Sequence, residues 1–337
     1  MLTIGYIGNG KSTNRYHLPY VLARPETLRV KTIYRRNPAH DEWPAVPNVY
    51  YTSDLNELLD DPEIDLVCVC TSAGHYEMSR QILLHNKHCL TEKPFTQTYA
   101  EAEALYELAQ ERGLLIEPYQ NRRYDSDFLT LCSVLESGKL GQVYEIESAS
   151  DYYRPEVPNS VHTYSAEKSF LYSHACHLLD RMLSLFGTPE HVDSDVRQLL
   201  GPGRMNDYFD LDMHYPGLKV SLRASYFRVR PRPSFVAYGT NGMFIKASTD
   251  RQELDLKRFY LPGQENFGLD RPEDYGILIY QKGQEIVEER VPTVTGDYGR
   301  AYDALHDAIC RSTPQKVTRE QVLTQIGILE RSCSNLR

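Results

Sequence analysis

Over roughly the first 120 residues, short apolar runs alternate with helical patterns, the signature of a parallel sheet covered by helices. Leu2–Ile7 and Leu28–Tyr34 read as strands, Asp54–Leu59 as a short helix with Pro62 after its end, and Leu66–Cys70 as a fully apolar strand. Tyr76–Leu84 is helical in pattern, and His88–Thr91 is a strand that delivers Glu92-Lys93-Pro94. Tyr99–Arg112 follows as a helix with Thr98 at its cap and Gly113 just past its end. Leu114–Glu117 is one more strand.

The pattern then changes. Phe128–Ser137 is helical and Val143–Tyr152 alternates as a half-exposed strand, followed by a Tyr- and Pro-rich stretch and a helix near Ser173–Phe186. Val192–Gln198, Tyr208–Tyr215, Lys219–Phe227, Ser234–Tyr238 and Met243–Ala247 form a run of strands, with hairpin turns at Pro216-Gly217 and Asn241-Gly242. Two helices, near Tyr298–Arg311 and Arg319–Asn335, close the chain. The expected class is α/β, with one domain over residues 1–121 and an α+β domain over 122–337 built on an antiparallel or mixed sheet.

At 337 residues the chain is long enough for two such cores. Its net charge of -9 argues against nucleic-acid or anionic-membrane partners, and no segment approaches the roughly 20 apolar residues of a membrane span. The N-terminus reads as a first strand rather than a secretory signal. The 7 cysteines are scattered, as expected of small buried hydrophobes in a reducing cytoplasm. Cys68 and Cys70 lack partners at zinc-ligand spacing, and no metal site is expected. The 25 tyrosines are read mostly as packing residues, with a few available to line a pocket for a polyhydroxylated ligand.

Gly5-Tyr6-Ile7-Gly8-Asn9-Gly10-Lys11-Ser12 fits two templates. From Gly5 it is the phosphate loop of NTPases; from Gly8 it approaches the dinucleotide fingerprint. The first reading leaves only Met1–Ile4 for the preceding strand, and Asp65 lies at the wrong end of Leu66–Cys70 to help hold magnesium. The second keeps a normal strand, lets backbone N–H groups at Gly8, Asn9 and Gly10 approach a pyrophosphate, and starts a helix near Lys11, Ser12 and Thr13. It is the favoured reading, although Thr13 stands where Gly or Ala allows close helix–strand packing. Beyond the second strand come Arg35 and Arg36 rather than an acid, which suits a 2′-phosphate. NADP(H) is therefore favoured, with NAD(H) as the alternative.

Gly8-Asn9-Gly10, Cys70-Thr71 before His75, Glu92-Lys93-Pro94, the segment Gln120-Asn121-Arg122-Arg123-Tyr124-Asp125 and Gly138-Lys139-Leu140-Gly141 together resemble the Gfo/Idh/MocA oxidoreductases, over nearly the whole chain. The resemblance implies an N-terminal Rossmann dinucleotide-binding domain followed by a domain with a large, open, mostly antiparallel sheet. That sheet often serves as a homodimer or homotetramer interface. It also implies a sugar, sugar acid, inositol or related polyol as substrate. By position, Lys93 would lie beside the nicotinamide and the reacting hydroxyl, after a cis peptide to Pro94, and Glu92 near the nicotinamide ribose. His177 matches the catalytic histidine, but Ser173 replaces the family's aspartate four residues earlier.

The chemistry these residues suit is hydride exchange at a carbon bearing a hydroxyl. His177 is placed as proton acceptor and Lys93 as the cation facing the developing alkoxide. Cys70, Thr71, His75, Glu92, Lys93 and Asn121 are expected on the cofactor side, and Lys93, Tyr119, Arg154, His162, Tyr164, Ser173, His174 and His177 on the substrate side. His174 is read as a compensating group one turn before His177. Arg123 and Asp125 are read as a structural ion pair between domains. A non-catalytic cofactor-binding sensor and an enzyme that retains its cofactor for transient oxidation remain alternatives.

Overall fold

A computed structural model describes residues 1–37 and 43–336. Its chain divides into two compact units. The first gathers Met1–Asn121, Leu254–Phe267 and Tyr298–Leu323, and the second Arg122–Glu253, Gly268–Asp297 and Thr324–Arg337.

The first unit is built on strands β1 (Leu2–Ile7), β2 (Leu28–Tyr34), β3 (Tyr50–Thr52), β4 (Leu66–Val69), β5 (His88–Thr91) and β6 (Ile116–Pro118). They lie in the order β3-β2-β1-β4-β5-β6, every adjacent pair parallel. This is the doubly wound Rossmann order, whose ligand crevice opens where β1 and β4 send the chain to opposite sides. Both of those strands are buried along their whole length, which is why they read as unbroken runs without alternation. The caps form as their side chains dictate. Asp54 accepts from the Asn56 N–H, and Thr98 and Glu101 make a reciprocal capping box.

The segment after β1 is helical from Lys11 to Leu22, with a wide π turn over Thr13–His17. Pro19 has no N–H to return to the carbonyl one turn back, so the ladder widens just ahead of it.

In the second unit an eight-stranded sheet is formed by β7 (Val143–Ala149), β8 (His191–Arg197), β9 (Tyr208–Tyr215), β10 (Leu218–Ser225), β11 (Phe235–Gly239), β12 (Gly242–Lys246), β13 (Gly276–Lys282) and β14 (Glu285–Val291). The order is β14-β13-β12-β11-β7-β10-β9-β8. β7 and β10 run parallel and the other pairs antiparallel. Ile146, Phe209, Leu211, Met213, Val220, Leu222, Phe235 and Phe244 are buried on one face, against helices Ser126–Glu136 and Cys176–Phe186. The other face carries Glu145, Glu147, Asp210, Asp212, His214, Lys219 and Arg223, as the cross-strand registers require.

Three strands escape the sequence pattern. β3 is only three residues long, and β13 and β14 form a hairpin in which β14 has no buried residue to reveal its period. The expected Arg123–Asp125 pair is also corrected. Arg123 instead grips Asp180 through Nε at 2.8 Å and Nη2 at 2.6 Å, inside the second unit, while Asp125 faces Arg122 at 3.3 Å and Arg181 at 3.7 Å.

Lys246 ends β12 fully buried. Its ammonium donates to Ser248 Oγ at 2.6 Å, Asp270 Oδ2 at 2.7 Å and the Asp274 carbonyl at 2.7 Å, so all three protons are placed. Removing the cation would strand a buried carboxylate. Lys246→Met should cost about 3–5 kcal/mol, and Asp270→Asn added to it should recover much of the loss. Urea unfolding of the wild type, both single variants and the double variant measures the cycle; additive losses would show that the pair is not coupled.

Candidate active site

The turn after β1 brings the chain close to the end of β4. Gly8 has φ +113°, and a Cβ there would lie 2.9 Å from the Cys70 carbonyl oxygen, so only glycine fits. At Gly10 a Cβ would meet nothing within 4 Å; this exposed backbone can come directly against a ligand. Thr13 is fully buried and its hydroxyl donates to the Gly8 carbonyl at 2.7 Å. The side chain that departs from the fingerprint therefore braces the turn from within. Asn14 Nδ2 adds bonds of 3.0 Å to Asn9 Oδ1 and to the Gly10 carbonyl. A turn of bare backbone leading into a helix N-terminus fits a pyrophosphate.

At the end of β5, Glu92 forms the centre of a polar cluster. Its Oε1 accepts from Ser12 Oγ and meets His17 Nε2 at 3.1 Å, while Oε2 accepts the Lys93 backbone N–H at 3.1 Å. Burial alone would raise this carboxyl. The His17 imidazole, the Ser12 hydroxyl and the Lys93 cation outweigh it and hold the group down to about 2. His17 is itself fixed on three sides. Its Nδ1 lies 2.6 Å from Tyr302 Oη, and its ring stacks on Tyr119 at 4.1 Å. Tyr302 Oη continues to Tyr6 Oη at 3.1 Å.

The other expected cofactor-side residues surround this cluster in the same unit. The Lys93–Pro94 peptide is cis. His75 bridges the ends of β4 and β5, with Nδ1 2.6 Å from the Pro94 carbonyl and Nε2 2.9 Å from that of Thr71. Cys70 is buried, and Asn121 lies buried in a short turn, Asn121–Tyr124. Past β2, the Arg35 guanidinium lies over the Tyr51 ring at 5.2 Å and Arg36 is exposed. Tyr119, expected at the substrate, is 1% exposed and donates its hydroxyl to the Tyr16 carbonyl at 2.6 Å. It supports His17 rather than lining a surface.

The second unit carries the remaining candidates. His177 is buried near the start of helix Cys176–Phe186, just after a π turn over Leu171–Ala175. His174 lies within that turn, across a change of helical register from His177, so simple one-turn spacing does not describe the pair. Ser173 Oγ donates to the Phe170 carbonyl at 3.2 Å and meets His174 Nδ1 at 2.8 Å. The His174 ring sits among Phe170 at 4.4 Å, Tyr152 at 5.3 Å and Tyr226 at 5.8 Å, with the exposed Arg154 guanidinium over Tyr152 at 4.9 Å. Tyr164 is half-buried and His162 exposed.

Residues 2–119 match the model of an oxidoreductase family with an NAD-binding Rossmann fold, and residues 133–333 match that family's C-terminal alpha/beta domain. The chain belongs to the Gfo/Idh/MocA oxidoreductase family. It is 42% identical to the uncharacterized oxidoreductase YhhX of Escherichia coli K12 across 98% of this chain and 96% of that protein. It is 31% identical to the scyllo-inositol 2-dehydrogenase (NADP(+)) IolW of Bacillus subtilis, across 98% and 92%. The crystal structure of a probable oxidoreductase yhhX superposes with a TM-score of 0.93 at 39% identity, covering 100% of this chain and 98% of that one. The protein is thus a nicotinamide-dependent dehydrogenase or reductase of CH–OH groups. No helix among the described residues is long and apolar enough to cross a membrane.

His17 and Tyr302 escaped the sequence reading because neither belongs to a motif. The available signal was a histidine about two turns beyond the glycines, two residues before a proline. The cluster sets a pH dependence. A carboxylate held below its ordinary 4.5 contributes stability that is complete above that value and is lost as pH falls through about 2. Glu92→Gln should therefore cost on the order of 3 kcal/mol at pH 7, and the gap should close as pH falls from 4.5 toward 2. Thermal unfolding of both proteins across that range checks it; a pH-independent gap would exclude the linkage.

Proposed function

We propose that this enzyme exchanges a hydride with a hydroxyl or carbonyl carbon of a sugar, sugar acid or cyclic polyol, with NADP(H) preferred over NAD(H). The observation that carries the cofactor preference is the end of β2, where Arg35 and Arg36 stand in place of an acid. Two cations at this place suit a 2′-phosphate. The B. subtilis relative named as an NADP(+)-dependent scyllo-inositol dehydrogenase supports both the cofactor and the polyol class.

When bound, the nicotinamide supplies the hydride acceptor or donor. The chain's own residues do the rest. Gly8, Asn9, Gly10, Lys11, Ser12 and Thr13 form the pyrophosphate turn, with Cys70, Thr71, His75, Glu92 and Asn121 around the nicotinamide side. Lys93 presents its ammonium where oxyanion charge develops. His177 takes the hydroxyl proton in oxidation and returns it in reduction. Ser173, His174 and Arg154, with His162 and Tyr164, are assigned to the substrate. We further assign a cytoplasmic homodimer or homotetramer, paired through the large sheet of the C-terminal domain.

A second reading, a cofactor-binding sensor without turnover, draws support from Ser173. Its hydroxyl is engaged with Phe170 and His174 and carries no charge with which to orient a substrate.

Melting curves with NADP+, NADPH, NAD+, NADH and ATP–Mg test the cofactor. A ligand at 100 times its Kd should add about 2.7 kcal/mol. NADP(H) should stabilise selectively, and Arg35→Ala should abolish the preference; stabilisation by ATP–Mg alone would overturn the assignment. A polyol screen followed by NADPH absorbance then separates enzyme from sensor. With an active substrate, Lys93→Ala should lower kcat by about 10²–10³-fold.

A further inference from the structure

We propose that the open face of the large sheet binds a zinc-class transition-metal ion through His191, Asp193 and His214. The three residues converge because of strand geometry. His191 and Asp193 are two apart on β8 and so share a face, and His214 on β9 is the register partner of His191. The two imidazoles are stacked, with centroids 4.1 Å apart and planes within 6°. Asp193 Oδ2 lies 3.0 Å from His214 Nε2 and 3.9 Å from His191 Nε2. One donor atom from each residue falls within 4.8 Å of the other two.

A tetrahedral zinc ion holds nitrogen and oxygen ligands at about 2.0–2.2 Å. Closing the triangle takes only side-chain rotation, and His191 and Asp193, at 60% and 74% exposed, have room for it. The backbone beneath is a paired ladder along the whole length of β8, so the frame that sets the spacing is rigid.

The surroundings favour this carboxylate as the ligand. Asp212, opposite Asp193, is paired with Lys219 at 2.7 Å, and Asp195 is gripped by Arg197. Asp193 faces the two imidazoles instead. Two imidazole nitrogens and one carboxylate match zinc or nickel, whereas magnesium prefers an all-oxygen set. Three protein ligands leave at least one coordination position for water. The site is independent of the dehydrogenase reading, since it uses none of the residues assigned to that chemistry.

The test is calorimetric titration of the untagged, chelator-treated full chain with ZnCl2, NiCl2 and MgCl2 under reducing conditions. The wild type should bind one zinc per chain, nickel should bind at the same site, and magnesium should give no saturable heat. Mutating even an outer-sphere partner costs about 10–100-fold in metal affinity, so the double variant His191→Ala/His214→Ala should lose at least that much. Its melting temperature in EDTA should match the wild type. Asp193→Asn, at an exposed position, provides a second variant should the double one fail to fold. Absence of saturable zinc binding in the wild type, or undiminished binding in the variants, would overturn the proposal.

Discussion

Glu92 receives a hydroxyl from the helix that follows the glycine turn, an imidazole from the next turn of that helix, and the N–H of Lys93. The helix after the glycine turn and the end of β5 are therefore tied together through two oxygen atoms. The arrangement needs the carboxylate ionised, because each of those neighbours donates to it or balances its charge. Burial opposes ionisation, so the cluster is stable only when complete. This explains why His17 is locked by Tyr302 and Tyr119: an imidazole free to turn away would leave a buried charge with one partner fewer.

The same logic shapes the second unit. Arg123–Asp180 and Lys246–Asp270 are buried ion pairs, the first bonded through two guanidinium nitrogens and the second with the other Lys246 protons on Ser248 and the Asp274 carbonyl. Such pairs contribute little net stability relative to apolar residues of equal volume, but losing one partner is expensive. Their spacing along the chain, 57 residues in one case and 24 in the other, makes them markers of correct long-range assembly.

What could be read from the chain follows from where the information lies. β1 and β4 were legible because they are buried along their whole length and carry no charged residue. The hairpin at Pro216-Gly217 was legible because turn chemistry is local, and it joins β9 to β10; the one expected at Asn241-Gly242 lies one residue earlier, at Thr240-Asn241, since Gly242 already pairs with Gly239. β14 was not, since a strand with exposed and half-exposed positions along EIVEERV shows no hydrophobic period. Lys246 was read as one more strand residue, and its burial depends on Asp270 and on a loop carbonyl 28 residues away. The glycine turn and Lys93 stood out as motifs. Their support did not, because His17 and Tyr302 are 285 residues apart and have no shared pattern.

Ser173 shows how a departure from a family pattern is absorbed. An aspartate at this place would bring a negative charge beside His174; the serine brings a hydroxyl that can donate or accept. Its bond to His174 Nδ1 fixes that ring against Phe170, Tyr152 and Tyr226, giving an apolar wall with one polar edge. Aromatic faces beside a few aimed polar groups are well matched to the C–H faces and hydroxyls of a ring polyol. The serine therefore puts at this place a neutral hydroxyl that holds the neighbouring ring, and leaves the proton-transfer role proposed for His177 formally independent of position 173.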